Sequence, residues 1–268
     1  MKFSVLLSLY NKEKPSFLSE CLDSIANNTL LPEQIVIVYD GPVGSALEAV
    51  VNDFSKRLPI DIVPLSKNVG LGSALNHGLK FCHYETILRM DTDDVCTQER
   101  FSKQINYLKL HPNIGLLGGA VREFDENMSV SRGIRFSNTE HDEIKDYAKK
   151  RNPFNHMAVA FNKTAVEKVG GYQHHHLMED YNLWLRMIAS GVETHNLNEV
   201  LVNVRAGNSM LIRRKGLKYI RSEIKLAKLK YDLKIDSFFG TLSCAFIRII
   251  PRLMPVFVLN SIYKILRK

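Results

Sequence analysis

The C-terminal region of this sequence lacks a long uninterrupted apolar run. Its most apolar stretch, "FFGTLSCAFIRIIPRLMPVFVLNSIYKILRK", is broken by Arg248, Pro251, Arg252 and Pro255, short of the roughly 20 residues a membrane-spanning helix needs. Cysteine is scarce and widely spaced: Cys21, Cys82, Cys96 and Cys244 form no C-x-x-C pair and have no histidine at zinc-finger spacing. That excludes a zinc module and reads as ordinary reduced thiols. The N-terminus, "MKFSVLLSLYNKEK", turns polar by Asn11 and has no small-residue cleavage site, so it reads as a first strand of a cytoplasmic protein. Acid is nearly missing from one region only. Residues 213–268 hold 14 Lys or Arg against Glu223, Asp232 and Asp236, a net of +11, which leaves −3 of the total +8 for residues 1–212.

What is present is globular. Hydrophobic residues at 45% and charged residues at 24% rule out wholesale disorder, and 268 residues can bury a sizeable core. Apolar runs of strand length alternate with segments of helical periodicity. "FSVLLSL" (Phe3–Leu9) precedes a helix opened by Pro15, with Phe17, Leu18, Cys21, Leu22 and Ile25 on one face. "QIVIVYD" precedes a helix from Ser45 to about Lys56, "PIDIVPL" precedes "LGSALNHGLKFC", and "TILRM" (Thr86–Met90) is a fourth strand. Four such alternations predict a largely parallel sheet with helices on both faces, its ligands beyond the carboxyl ends of the strands.

At that edge stands "LRMDTDDV", in which Asp91, Asp93 and Asp94 fall within four residues. Neighbouring anions repel unless a cation intervenes, and a hard divalent ion such as Mg²⁺ or Mn²⁺ suits carboxylates completed by phosphate. Capping of a helix starting near Thr97 is the alternative. It accounts for Asp94, and less fully for Asp93, but leaves Asp91, at the strand end, unexplained.

Six stretches, "FSVLLSLYN", "EQIVIVYDGP", "KNVGLGSALNHGL", "RMDTDDV", "VEKVGGY" and "MEDYNLWLRM", together resemble the family 2 glycosyltransferases of bacterial O-antigen and exopolysaccharide assembly. The resemblance covers about residues 3–200 and implies the GT-A fold: an α/β, Rossmann-like, mostly parallel sheet flanked by helices. It implies a catalytic domain over residues 1–212, with a nucleotide-binding half to about 95 and an acceptor half over 96–212. The residues that match the family's motifs are Ser8, Tyr10, Asp40, Asn68 and Asp91 for the nucleotide and Asp91 with Asp93 for the metal. Asp94, Glu179 and His156 are secondary candidates. Asp180, the second acid of the "ED" pair, matches the catalytic base. The implied reaction is an inverting transfer of a hexose, galactose or glucose, from a UDP-sugar to a lipid-diphosphate-linked saccharide, in a β-1,3 linkage. Two positions depart from the family pattern: Tyr39 stands where an acid is frequent, and Leu75 where an arginine is. The Q-x-x-R-W signature of processive synthases is missing, and Trp184 is the only tryptophan, which favours single addition.

Other features read more plainly. "HHH" (His174–His176) is expected to be a surface loop near the acceptor, because three consecutive side chains do not converge on one ion. Trp184 reads as core or pocket wall, and Gly118-Gly119 and Gly170-Gly171 as turns or places of close backbone approach. In the tail, Leu217, Ile220, Ile224, Ala227 and Leu229 recur at helical steps among Lys and Arg. An amphipathic element lying on an anionic membrane surface is expected for residues 213–268, with packing on the catalytic domain as the alternative. That places the protein on the inner face of the plasma membrane. No nucleic-acid reading motif is visible. Two rivals are a sugar nucleotidyltransferase, which should carry a Gly-rich phosphate loop where "YNKEKP" stands, and a noncatalytic membrane-surface module.

Overall fold

The computed structural model describes residues 1–206 and 216–253. Its elements follow the alternation in the sequence: β1 (Phe3–Leu9), α1 (Pro15–Ala26), β2 (Gln34–Tyr39), α2 (Ser45–Phe54), β3 (Ile60–Pro64), α3 (Leu71–Leu79) and β4 (Thr86–Arg89). Strands β3, β2, β1 and β4 lie side by side in that order, all parallel. Their side chains divide by period 2 between two cores. Leu6, Val36 and Val38 pack with α3, whereas Leu7, Leu9, Ile35 and Ile37 pack with α1 and α2. Burial on both faces accounts for the continuous apolar runs.

After β4 the sheet becomes mixed. Strands β5 (Val95–Cys96), β6 (Ile114–Phe124), β7 (Ser131–Arg135), β8 (Ala160–Asn162) and β9 (Glu193–Arg205) continue it in the order β4-β8-β6-β9-β5, with β7 beside β6. The β4–β8, β8–β6, β6–β7 and β9–β5 pairs are antiparallel, and β6–β9 is parallel. The parallel reading therefore describes the first four strands, and the second half is built from returns. Gly118 and Gly119 lie inside β6 rather than in a turn. A Cβ there would meet Asn196 Oδ1 at 2.1 Å and Leu201 Cδ1 at 2.3 Å, so these glycines admit β9 side chains. Gly170 and Gly171 do turn the chain, with φ of +82° and +62°.

Helices α4 (Arg100–Leu110), α5 (His141–Ala148), α6 (Lys163–Lys168) and α7 (Glu179–Ala189) cover the second half. Nearly all of α7 is buried, including Leu183, Trp184, Leu185 and Met187. Two further helices, α8 (Gly216–Asp232) and α9 (Phe238–Leu253), pack against each other. Tyr219 and Leu226 of α8 and Ile235 of the link join the core that holds Trp184.

The face that α8 turns to the fold is largely polar. It consists of Tyr219, Ser222, Glu223, Leu226 and Lys230, while Leu217 and Ile224 are 71% and 56% exposed. Partners explain this: Glu223 is paired with Arg248 at 2.7 Å, and Lys230 Nζ donates to the Lys149 carbonyl at 2.7 Å. Paired charges are buried and unpaired leucine is left outside. Residues 213–215, 254–268 and the expected boundary at 212 lie outside the described residues. No helix among the described residues is long and apolar enough to cross a membrane.

Candidate active site

The first wall of the site is the carboxyl edge of β1 and β2. Ser8 sits half-buried near the end of β1, in register with Val38, and Tyr10 follows at 41% exposure. Asp40 ends β2 and is buried. Its two oxygens accept the backbone N–H groups of Val69 (2.6 Å) and Gly70 (3.1 Å), while Asn68 Nδ2 donates to the Asp40 carbonyl at 3.3 Å. Asp40 thus fixes the "KNVG" turn that opens α3. Gly41 completes the joint: its φ is +86°, and a Cβ there would stand 2.7 Å from the Asn68 nitrogen.

The second wall is the acidic loop after β4. Ligand oxygens of Asp91, Asp93 and Asp94 lie within 4.8 Å of one another. The capping alternative fails, because the short strand β5 intervenes and α4 begins only at Arg100. Burial, then the charges of Asp91 and Glu13, push Asp93 up to about 7. Burial, then the charges of Asp93 and Asp91, also raise Asp94. Such crowding is what a divalent cation would relieve. Asp94 has a structural task as well, because its Oδ1 accepts the Arg205 backbone N–H at 3.1 Å. The Arg205 guanidinium binds the Asp93 carbonyl and Glu20, donates to the Glu126 carbonyl at 3.1 Å, and lies 4.1 Å over the Phe17 ring. The end of β9 therefore clamps the loop.

The third wall is the N-terminus of α7. Asn152 Nδ2 donates to Asp180 Oδ2 at 2.7 Å, and burial raises the pKa of both Asp180 and Glu179. A raised pKa makes the Asp180 carboxylate a better proton acceptor. The turn before α7 is held by Arg186, whose guanidinium donates to the Val169 carbonyl and, at 2.6 Å, to that of Gly171. A Cβ on Gly72 would lie 3.4 Å from that of Glu179, so the first turns of α3 and α7 converge. Helix N-termini favour anions.

Arg89 joins the walls. It is 1% exposed, ion-paired with Asp91, and its charge acts on Asp93, Asp94, His156, Tyr172, Glu179 and Asp180. Its Nε and Nη1 have no hydrogen-bond partner among the described residues. His156 lies in a short 3-10 turn (His156–Ala158), its Nε2 3.1 Å from the Tyr172 hydroxyl. Burial and Arg89 hold its pKa well below the usual value, so the ring is neutral. Trp184 lies beneath it, edge-on to His156, Tyr172 and Phe154.

The residues expected from sequence thus stand at the carboxyl edge of β1 and β2, in the turns before α3 and at His156, in the loop after β4 and at the start of α7, with Asp40 and Asp94 bonded to backbone N–H groups. Arg89, Glu13 and Asn152 were not expected. Arg89 carried a signal, a charge in an apolar strand two residues before Asp91 and hence on the same face; Glu13, whose Oε2 accepts the Thr92 hydroxyl at 2.6 Å, and Asn152 carried none. The histidine run is corrected: His175 is 1% exposed, bonded to the Ser222 carbonyl at 2.8 Å and Asn182 at 3.1 Å, and only its neighbours face solvent.

Comparison with known proteins gives the family and the fold. The profile described as glycosyl transferase family 2 matches residues 4–170. The chain is 50% identical over 266 residues to the amylovoran biosynthesis glycosyltransferase AmsE of Erwinia amylovora, covering 99% of each. It is 39% identical to a UDP-Gal:alpha-D-GlcNAc-diphosphoundecaprenol beta-1,3-galactosyltransferase of Escherichia coli, over 98% of this chain and 95% of that one. Its structure resembles that of Staphylococcus aureus TarS 1–349 in complex with UDP-GlcNAc, with a TM-score of 0.71 at 16% identity, over 93% of this chain and 72% of that one.

Proposed function

Because this chain belongs to glycosyltransferase family 2 and has the GT-A fold, we propose that it moves a hexose from a UDP-sugar to a lipid-diphosphate-linked saccharide. The transfer serves O-antigen or exopolysaccharide assembly, takes place at the inner face of the plasma membrane, and forms a β-1,3 linkage with galactose or glucose. The observation that carries the reading is the meeting, around Arg89, of a three-carboxylate cluster with an Asp180 made more basic by burial.

Asp93 and Asp91 would hold Mn²⁺ or Mg²⁺, and their donor set fits: hard oxygens, crowded enough that Asp93 is raised to about 7. When bound, that ion supplies positive charge to a departing diphosphate. The chain's own residues do the rest. Ser8, Tyr10, Asp40 and Asn68 line the place where a nucleoside would lie, Tyr10 offering a ring for stacking. Asp180 takes the proton of the acceptor hydroxyl as its oxygen attacks the anomeric carbon and the bond to UDP breaks. A single displacement inverts the centre, so an α-linked donor gives a β-glycoside. Asn152 keeps the Asp180 carboxylate in place, and the converging helix N-termini suit an anionic donor.

Calorimetric titration of UDP tests this, with and without Mn²⁺, on wild type and Asp93→Ala. Binding that requires Mn²⁺ and is lost in the variant is the expected result; metal-independent UDP binding, or none at all, overturns the assignment.

A further inference from the structure

A second concave site lies beside α7, formed by the loop before it and the first half of α8. Its volume is about 400 Å³, and its lining includes His174, His176, Lys218, Arg221 and Lys225 with no carboxylate, the stems and rings of these side chains making up most of the surface. The two walls are tied together by backbone acceptors. His175 bonds the Ser222 carbonyl, Ser222 Oγ donates to the His176 carbonyl at 2.9 Å, and Lys225 Nζ donates to the His174 carbonyl at 2.7 Å. Lys218 and Arg221 are exposed and make no ion pair or hydrogen bond among the described residues. A built cavity with several cations and no acid fits a small polyanion.

The surface beside it is apolar. On α8, Lys218, Arg221 and Lys225 follow one helical row, and Leu217, Ile224 and Tyr231 the adjoining one, 71%, 56% and 52% exposed. Tyr231 meets Phe238 at 5.9 Å, and α9 extends the stripe with Phe239 and Ile247, 78% and 72% exposed. Exposed apolar area of this extent beside a row of cations is the pattern of an element lying in a lipid headgroup region. The pocket is also anchored to the chemistry: its loop runs directly into Glu179 and Asp180, and Asn182 of α7 holds His175.

Resting on the acceptor reading above, we propose that this pocket binds the diphosphate of the lipid-linked acceptor, with the first part of the lipid on the stripe of α8 and α9. The acceptor sugar then extends from the pocket toward Asp180. Lys218 and Arg221 meet the phosphate oxygens, and Leu217 and Ile224 receive the chain.

The test uses full-length protein and two vesicle types of equal surface charge: phosphatidylcholine doped with a polyprenyl diphosphate, and phosphatidylcholine doped with phosphatidylglycerol. The Lys218→Ala/Arg221→Ala variant should lose about tenfold in affinity for the diphosphate vesicles and less than about threefold for the others. Its UDP binding in Mn²⁺ should match wild type, and Lys218→Arg/Arg221→Lys should restore the diphosphate affinity. Unchanged affinity for the diphosphate vesicles, or an equal loss on both types, overturns the proposal. Failure of the wild type to bind UDP would instead sink the transferase reading, while the vesicle comparison still decides what the pocket binds.

Discussion

The loop after β4 and the outer surface of α8 each gather charge of one sign, and the protein treats them in opposite ways. Asp91, Asp93 and Asp94 are drawn inward, where burial raises two of them and Arg89 and Arg205 are needed to hold the loop. Lys218, Arg221 and Lys228 remain exposed, where water and salt screen them. Buried like charge is costly and demands a resident counter-ion; exposed like charge costs little and can wait for a partner. The first kind marks chemistry built into the fold, the second a surface that acts only when something anionic arrives.

Breaking the buried side should produce the largest effects. Asp180→Asn keeps the size and the α7 N-terminus but removes the proton acceptor, so kcat should fall by roughly 10² to 10⁴ while UDP affinity stays within about twofold. Initial rates with a UDP-sugar and a lipid-diphosphate acceptor measure the first, calorimetry the second; full activity in the variant would favour the noncatalytic module. Arg89→Met leaves Asp91 without its partner among neighbouring carboxylates and should cost about 2–3 kcal/mol of stability, read from the urea midpoint. An undiminished midpoint would mean that the cluster does not need the cation beneath it.

Titration sharpens the same comparison. Asp93 has a folded pKa of about 7 against a usual 3.8, so between those values the folded chain holds more protons than the unfolded one. Stability from this group is therefore present at low pH and lost as pH rises through 7. An ion held by Asp93 would need the ionised carboxylate, so added Mn²⁺ should raise Tm more at pH 8 than at pH 6; a pH-independent shift would place the ion elsewhere. On the exposed side, Ile224→Ser/Phe239→Ser should leave Tm nearly unchanged and lower partition onto anionic vesicles by less than about tenfold. A large drop in Tm would instead assign that stripe to the fold.

Much of the architecture was legible because it is local. Continuous apolar runs gave β1 and β2, Pro15 opened α1 with Leu18, Cys21, Leu22 and Ile25 buried, and Asp91 stood out at the end of a strand. Asp180 could be placed by its motif and by its position at a helix start. What escaped depends on partners distant in sequence. Nothing near Lys230 or Glu223 announces that Lys149 and Arg248 will satisfy them, so the face of α8 packed on the fold could not be read from hydrophobicity. His175 is buried because Ser222, 47 residues later, offers a carbonyl. Asn152 reaches Asp180 across 28 residues, and no local pattern encodes that reach.

The single tryptophan has a use of its own. Trp184 is wholly buried, its indole Nε1 has no hydrogen-bond partner among the described residues, and it lies against His156 and Tyr172 beneath the candidate site. With no second indole to dilute the signal, the tryptophan emission of the intact chain, excited selectively over its tyrosines, comes from one spot. The protein therefore carries an intrinsic optical reporter beneath that site, readable without a label.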